Sequence, residues 1–291
     1  MKPDAVVRAE RVLGVIAESW RPVTGRGYAN NERWLVALEG GRSVFVKTAV
    51  DDAGADWLRD EHRIYRGVQA AFLPELLGWD DDGAFPVLML EDVSGGAFWP
   101  PPWPGDAVEA VLAALREVAA TAPPPGVRSL ESDRASWVGW DVVADDPEPF
   151  LGLGLCSREW LDAAGPALLA AAETAPLDGS ALVHCDVRSD NLCIRSGRAV
   201  LFDWNHARMG NAVLDVAFWL PSLELEGGPK PDAVLPSGPG VAELAALVAG
   251  FFAARAGLPP PSGAPTVRGI QLAQLRPALA WACRALGLPQ P

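Results

Sequence analysis

Residues 181–208 read ALVHCDVRSDNLCIRSGRAVLFDWNHAR. The stretch opens on an apolar run, Ala181–Leu182–Val183, and then sets His184 and Asp186 together. Val187 to Asp190 separate that aspartate from Asn191. Leu192–Cys193–Ile194 follows, then a polar turn at Arg195–Ser196–Gly197–Arg198. A second β-rich run, Ala199–Val200–Leu201–Phe202, delivers Asp203 at its end. The pattern predicts loop, strand, tight turn and strand, with carboxylates and an amide at the ends of the β elements.

That spacing has a chemical use. Transfer of the terminal phosphoryl group of ATP needs a carboxylate beside the acceptor hydroxyl, to orient it and take its proton. It also needs oxygen ligands that hold magnesium against the phosphates. Asp186 is the candidate base, and Asn191 and Asp203 are the candidate metal ligands. H-x-D-x-x-x-x-N followed by a strand and an aspartate is the arrangement of protein-kinase catalytic loops. Taken singly, an aspartate after a strand is a turn residue and an asparagine is a cap. Their order and their strand context together carry the reading.

The chain has 291 residues, 49% of them apolar, which is ample for a buried core. Its formal charge of −13 argues against nucleic acid as a partner, because phosphates would be repelled. It suits a cationic small molecule better, or simply keeps the protein soluble. ATP is itself an anion, so positive charge must gather locally around its phosphates. Cys156, Cys185, Cys193 and Cys283 form no C-x-x-C pair, which points to a reducing cytoplasm rather than a disulfide framework. No apolar run is long enough to span a bilayer, so no membrane partner is expected.

Along the first third, residues 4–18 repeat apolar residues at helical spacing, with Val6, Val7, Val12, Leu13 and Ile16 on one face. Trp34–Leu38 and Ser43–Thr48 read as two strands joined by a Gly-Gly turn. Ahead of them, the segment from Gly25 and Gly27 to Asn31 is either a loop over nucleotide phosphates or a plain turn. Lys47 closes the second strand, where an interior cation needs a partner. Residues 55–65 are helical by period and put Glu61 on the apolar face. A Lys47–Glu61 pair satisfies both charges and holds the ammonium within reach of phosphates.

Leu73–Trp79 and Phe85–Leu90 read as two more strands. After them a polar, glycine-rich run marks a lobe boundary, with 1–93 on one side and 94–291 on the other. Glu91 to Val93 either offer main-chain groups to the adenine edge or form a surface turn. Phe98–Pro104 is too proline-rich for helix or central strand. Helices are predicted over 106–121, Glu159–Thr174, Asp215 to near Pro221, Val241–Ala256 and 266–286, with 129–155 irregular. Asp215 is expected to cap its helix or bind amides of the catalytic segment, a structural part rather than a chemical one.

With these residues in place, the sequence resembles the aminoglycoside phosphotransferase family, the small-molecule kinase branch of the protein-kinase-like fold. The resemblance rests on Val183–His184–Cys185–Asp186 with Asn191, on Phe202–Asp203–Trp204, and on Gly210 with Asp215–Val216–Ala217. It implies a bilobal α+β fold with a β-rich N-terminal lobe and a mostly helical C-terminal lobe, ATP and Mg2+ between them. It also implies Asp186 as catalytic base, Asn191 and Asp203 on the metal, and Lys47 on the phosphates with Glu61 as its partner. One departure is Cys185, where the family has glycine; backbone adjustment rather than lost activity is expected. His184 is expected to buttress the loop, and Asn205 after Asp203–Trp204 shows that D-F-G is absent.

The resemblance implies a small-molecule O-phosphotransferase and leaves the acceptor open. Aminoglycosides are polycations, and the acidic loops at 141–148 and 224–226 would suit them. Choline-like amines, macrolides and homoserine stay open as acceptors, as does a nucleotide-binding protein of the same fold with little transfer activity. The twelve tryptophans could stack on a sugar or an organic cation, although most are expected in the core.

Overall fold

The computed structural model describes residues 1–24, 31–261 and 264–291. Gly25 and Gly27, the candidate phosphate-loop glycines, lie outside the described residues. In chain order the first elements are α1 (Asp4–Leu13), β1 (Ala17–Pro22), β2 (Glu32–Leu38), β3 (Ser43–Thr48), α2 (Asp52–Gly67), β4 (Leu76–Asp80) and β5 (Val87–Glu91). The five strands make one antiparallel sheet ordered β1-β2-β3-β5-β4. Val36, Val44, Val46, Val87 and Met89 bury one of its faces against Ala5, Val6 and Ala9 of α1. Alternation of side chains along each strand produces that face.

The remainder is mostly helical. After β6 (Ala97–Phe98) come α3 (Gly105–Ala119), α4 (Ala135–Val138), α5 (Trp140–Asp145), α6 (Glu148–Leu151) and α7 (Arg158–Glu173). Then follow β7 (Ala181–Val183), β8 (Leu192–Arg195), β9 (Arg198–Leu201) and β10 (Arg208–Gly210). The chain closes with α8 (Val213–Leu225), α9 (Pro231–Val234), α10 (Val241–Ala256) and α11 (Val267–Leu286). The fold is thus α+β, with a sheet-rich N-terminal region and a helical C-terminal part. Among the described residues no helix is long and apolar enough to cross a membrane.

Three expectations need correction. The first helix ends at Leu13 rather than running to residue 18. Gly14 turns left-handed at φ 67° and its N–H caps Glu10 O at 2.9 Å. The chain then turns into β1, fixed by the Ala17 N–H donating to Glu10 Oε1 at 2.6 Å, and leaves Val7, Val12 and Ile16 exposed. Pro221 does not stop α8, which continues to Leu225 with the proline buried inside it. The segment 129–155 is not irregular throughout: it holds α4, α5 and α6, anchored by buried Trp137, Trp140 and Phe150.

The helical part is organised on α10, which is apolar on nearly every side and touches α7, α8, α11 and all three short helices. Where α4 turns into α5, Gly139 at φ 72° lies against Gly250 of α10. A Cβ on Gly250 would come within 2.2 Å of Val138 O, and one on Gly139 within 2.2 Å of Gly250 O. Two bare backbones meet there. Gly250→Ala is therefore expected to destabilise the fold by about 2 kcal/mol; chemical denaturation would reveal it, and an unchanged midpoint would contradict the contact.

In the sheet-rich part His62 of α2 stacks flat on Trp79 of β4, centroids 4.0 Å apart and planes 2° from parallel. Burial, with Arg66 nearby, lowers its imidazole from the ordinary 6.5 to about 4. The folded state therefore holds that proton less well than the unfolded chain. Stability from this site is complete above pH 6.5 and declines as pH falls toward 4. His62→Phe should flatten that part of the melting-temperature profile; a profile parallel to the parent's would show that the ring does not titrate in this range.

Candidate functional site

The stretch that opened the sequence builds the site. Strand β7 brings in His184, and Cys185 follows in a left-handed conformation, φ 66°. A side chain there costs about 1 kcal/mol, and Asp215 holds the turn. Its carboxylate accepts the His184 N–H at 2.8 Å and the Cys185 N–H at 2.7 Å. Asp215 thus binds catalytic-segment amides, one of its two expected structural parts. Its burial raises the carboxyl to about 7 against those two hydrogen bonds. His184 Nε2 donates to Phe202 O at 2.8 Å while Nδ1 accepts the Asp186 N–H at 3.2 Å. Burial lowers its pKa, so the ring is a neutral brace between β7 and the end of β9.

Asp186 projects from that braced loop. Asn191 Nδ2 donates to Asp186 Oδ2 at 2.8 Å and to its carbonyl at 2.9 Å, so base and amide are one unit. Asn191 Oδ1 is buried with no hydrogen-bond partner. Such an orphaned acceptor suits a cation. Asp203 stands just past β9 with φ 60°, and the left-handed turn sets its carboxylate in the same space.

Across from these, Lys47 on β3 donates to Glu61 of α2 at 2.7 Å and also to Asp203. Lys47 is 4% exposed and Glu61 2%. Burial alone would lower the ammonium's pKa, but Asp203 and Glu61 together raise it. Burial would likewise raise Asp203, yet Lys47 and then Arg33 hold it below the usual carboxylate range. Two carboxylates share one ammonium, so the other, Glu61, is pushed up by burial and by Asp203.

Three cavities run side by side through this constellation. The first, about 250 Å³, is walled by Leu35, Phe45 and Leu90 of the sheet and by Trp99 and Phe202 opposite, with Lys47 and Asp203 at one end. The second is small, about 30 Å³, and is lined by Lys47, Asp203, Asp186 and Arg188. The third, about 330 Å³, is lined by Asp186 and Arg188 again and opens toward α4, α10 and α11. Lys47, Glu61, Asp186 and Asp203 therefore converge, and Asn191 touches Asp186.

Glu91 and Val93 both line the first cavity. The Glu91 N–H is engaged by Glu75 O at 2.9 Å and its carboxylate pairs with Arg195. In the acidic loops, Glu226 accepts from Trp103 Nε1 at 2.8 Å and Ser189 Oγ at 2.6 Å, and Glu148 pairs with Arg158. None of residues 141–148 or 224–226 lines the third cavity.

Sequence reasoning missed two cations of the site. Arg33 on β2 lies opposite Lys47 in register and lines the first two cavities. Its signal was a cation beside an interior lysine. Arg188, two residues past Asp186, reaches Asp186 at 3.3 Å and Asp190 at 2.8 Å.

Known proteins of this shape carry phosphoryl chemistry in their names. A thermostable mutant of aminoglycoside phosphotransferase APH(4)-Ia, in ternary complex with AMP-PNP and hygromycin B, aligns with TM-score 0.59 and 16% identity over 98% of this chain and 97% of its own. The GDP complex of an aminoglycoside 2'-phosphotransferase-IIIa mutant gives TM-score 0.60 and 14% identity, covering 97% of each chain. A putative fructosamine-3-kinase from Thermobifida fusca gives 0.53 and 20%, covering 95% of this chain and 99% of that one. At such identities the likeness shows a shared protein-kinase-like fold. No curated protein sequence matches the chain. The model of the phosphotransferase enzyme family matches residues 21–260, from the first strand of the sheet through α10. With most of its length inside that match, the chain belongs to the phosphotransferase enzyme family.

Proposed function

We propose that the protein transfers the terminal phosphoryl group of ATP to a hydroxyl of a small molecule. The observation that supports this most is the shared wall. Asp186 and Arg188 line both the small cavity beside the Lys47–Asp203 pair and the large cavity beyond it. In this reading residues 1–93 are the nucleotide-binding lobe and 94–291 the catalytic and acceptor-binding lobe. The apolar cavity takes the adenine, with Val93 at its edge, and Lys47, kept charged and placed by Glu61, meets the phosphates.

Asn191 Oδ1 and the Asp203 carboxylate are a hard-oxygen donor set suited to Mg2+. Bound there, the metal would supply neutralisation of the phosphate oxygens. Asp186 accepts the hydroxyl proton as the acceptor oxygen bonds to phosphorus, the bridging P–O bond breaks and ADP leaves. Asn191 fixes the carboxylate's direction, and Arg188 stands where charge on the transferred group collects.

The finer reading is an aminoglycoside or related amino sugar, with antibiotic resistance as its consequence. It draws support from relatives named for aminoglycosides, one of them holding hygromycin B. Choline-like amines, macrolides and homoserine are the other acceptors to try, and ATP binding without turnover on any of them would favour a nucleotide-binding protein instead. With an acceptor in hand, Asp186→Asn should lower kcat by roughly 10²- to 10⁴-fold while ATP still binds. Parent-like turnover in that variant would end the assignment.

A further inference from the structure

The acceptor cavity carries a charge that the sequence does not suggest. Besides Asp186 and Arg188, its wall holds three guanidiniums, those of Arg128, Arg208 and Arg255, and one carboxylate, Asp133. Asp133 lies 3.2 Å from Arg208 and 3.6 Å from Arg128, so a single negative charge serves two positive ones. Arg255 lies within ion-pair distance of no carboxylate among the described residues. Its guanidinium donates to Phe251 O at 2.9 Å and Ser136 O at 2.8 Å, and its carbon stands 4.0 Å over the Phe251 ring. Asp141 acts on Arg255 only through space, and Arg268 opposes it.

A second observation is independent of charge. Trp137 lines the same cavity and is 8% exposed, yet its indole N–H is buried with no acceptor. An indole N–H can only donate. The ring stacks on Phe251 at 5.5 Å and meets Phe218 edge-on at 5.6 Å, so the donor is embedded in an aromatic wall. The cavity is rich in donors, poor in acceptors and flat-sided. A polycation would face three like charges here, and none of the acids of 141–148 or 224–226 lines the cavity to offset them. Like charges brought together in a partly buried site oppose binding.

We infer that the acceptor is a hydroxylated small molecule with an aromatic or other flat apolar body and an anionic group, carboxylate or phosphate, that Arg128, Arg208 and Arg255 receive. This rests on the phosphotransferase reading of the site and departs from the amino-sugar acceptor, which the arginine wall opposes. The hydroxyl faces Asp186 and the anion faces the arginines. In the transfer the acceptor oxygen bonds to the terminal phosphorus of ATP, the bridging P–O bond breaks, the hydroxyl proton goes to Asp186 and ADP departs.

Three probes of one shape separate the charges: p-(hydroxymethyl)benzoate, p-(hydroxymethyl)benzyl alcohol and p-(hydroxymethyl)benzylamine. Their binding to the full-length protein loaded with ADP and Mg2+ would be followed by tryptophan fluorescence and calorimetry, with kanamycin as a polycationic control. The carboxylate is expected to bind about tenfold or more tighter than the amine, with the alcohol between, and added salt should narrow the spread. Arg255→Met should bring the carboxylate down to the alcohol's affinity. Arg128→Gln, at a side chain 61% exposed, should do so in part. Equal affinities, tighter binding of the amine or kanamycin, or no saturable binding of the carboxylate would overturn the inference. Because binding is read without turnover, a charge order that holds in a protein unable to transfer phosphate would fault the enzyme reading instead.

Discussion

One ammonium holds the two halves of the site together. Lys47 comes from the sheet, Glu61 from the helix packed beside it, and Asp203 from a strand end more than 150 residues further along the chain. A charge as buried as Lys47 is unfavourable alone, and so is each carboxylate. The three are tolerable only in contact, which means that the strand, helix and β9 turn must dock in one register for any of them to be satisfied. The arrangement also explains the unequal carboxylates: Asp203 is held down by its cations while Glu61 is pushed up by burial. A buried triad of this kind contributes little net stability but specifies position well.

Much of this was legible in the linear sequence, because loop chemistry is written locally. Asp186, Asn191 and Asp203 fall at fixed spacing around two short strands, and Glu61 betrays itself as an acid on an apolar helix face. Lys47 is visible as a cation closing a strand. What stayed hidden depends on tertiary contact. Arg128, Arg208 and Arg255 are far apart in sequence and meet only where α10, the start of β10 and the chain ahead of α4 line one cavity. The partners of the acidic loops were hidden for the same reason: composition gives their charge but not the Trp103 and Ser189 partners that occupy Glu226. Local geometry also misled at Gly14, where a left-handed residue ends α1 and cancels an apparently continuous apolar stripe.

The contrast between global and local charge follows from the same distinction. A chain of net charge −13 still presents a positive wall where it matters. Total charge governs solubility and long-range approach, while a ligand in a half-closed cavity senses the few groups within a Debye length, about 8 Å at physiological salt. Acidic surface and basic pocket are therefore compatible.

The meeting of Gly139 with Gly250 bears on how such a pocket changes over time. Trp137 sits two residues before one glycine and Phe251 directly after the other, so the aromatic wall hangs from a joint of two bare backbones closed by the Trp140 indole. Exchanging the rings that hang from it reshapes one wall of the cavity while the loop that carries Asp186, braced separately by Asp215 and His184, keeps its place.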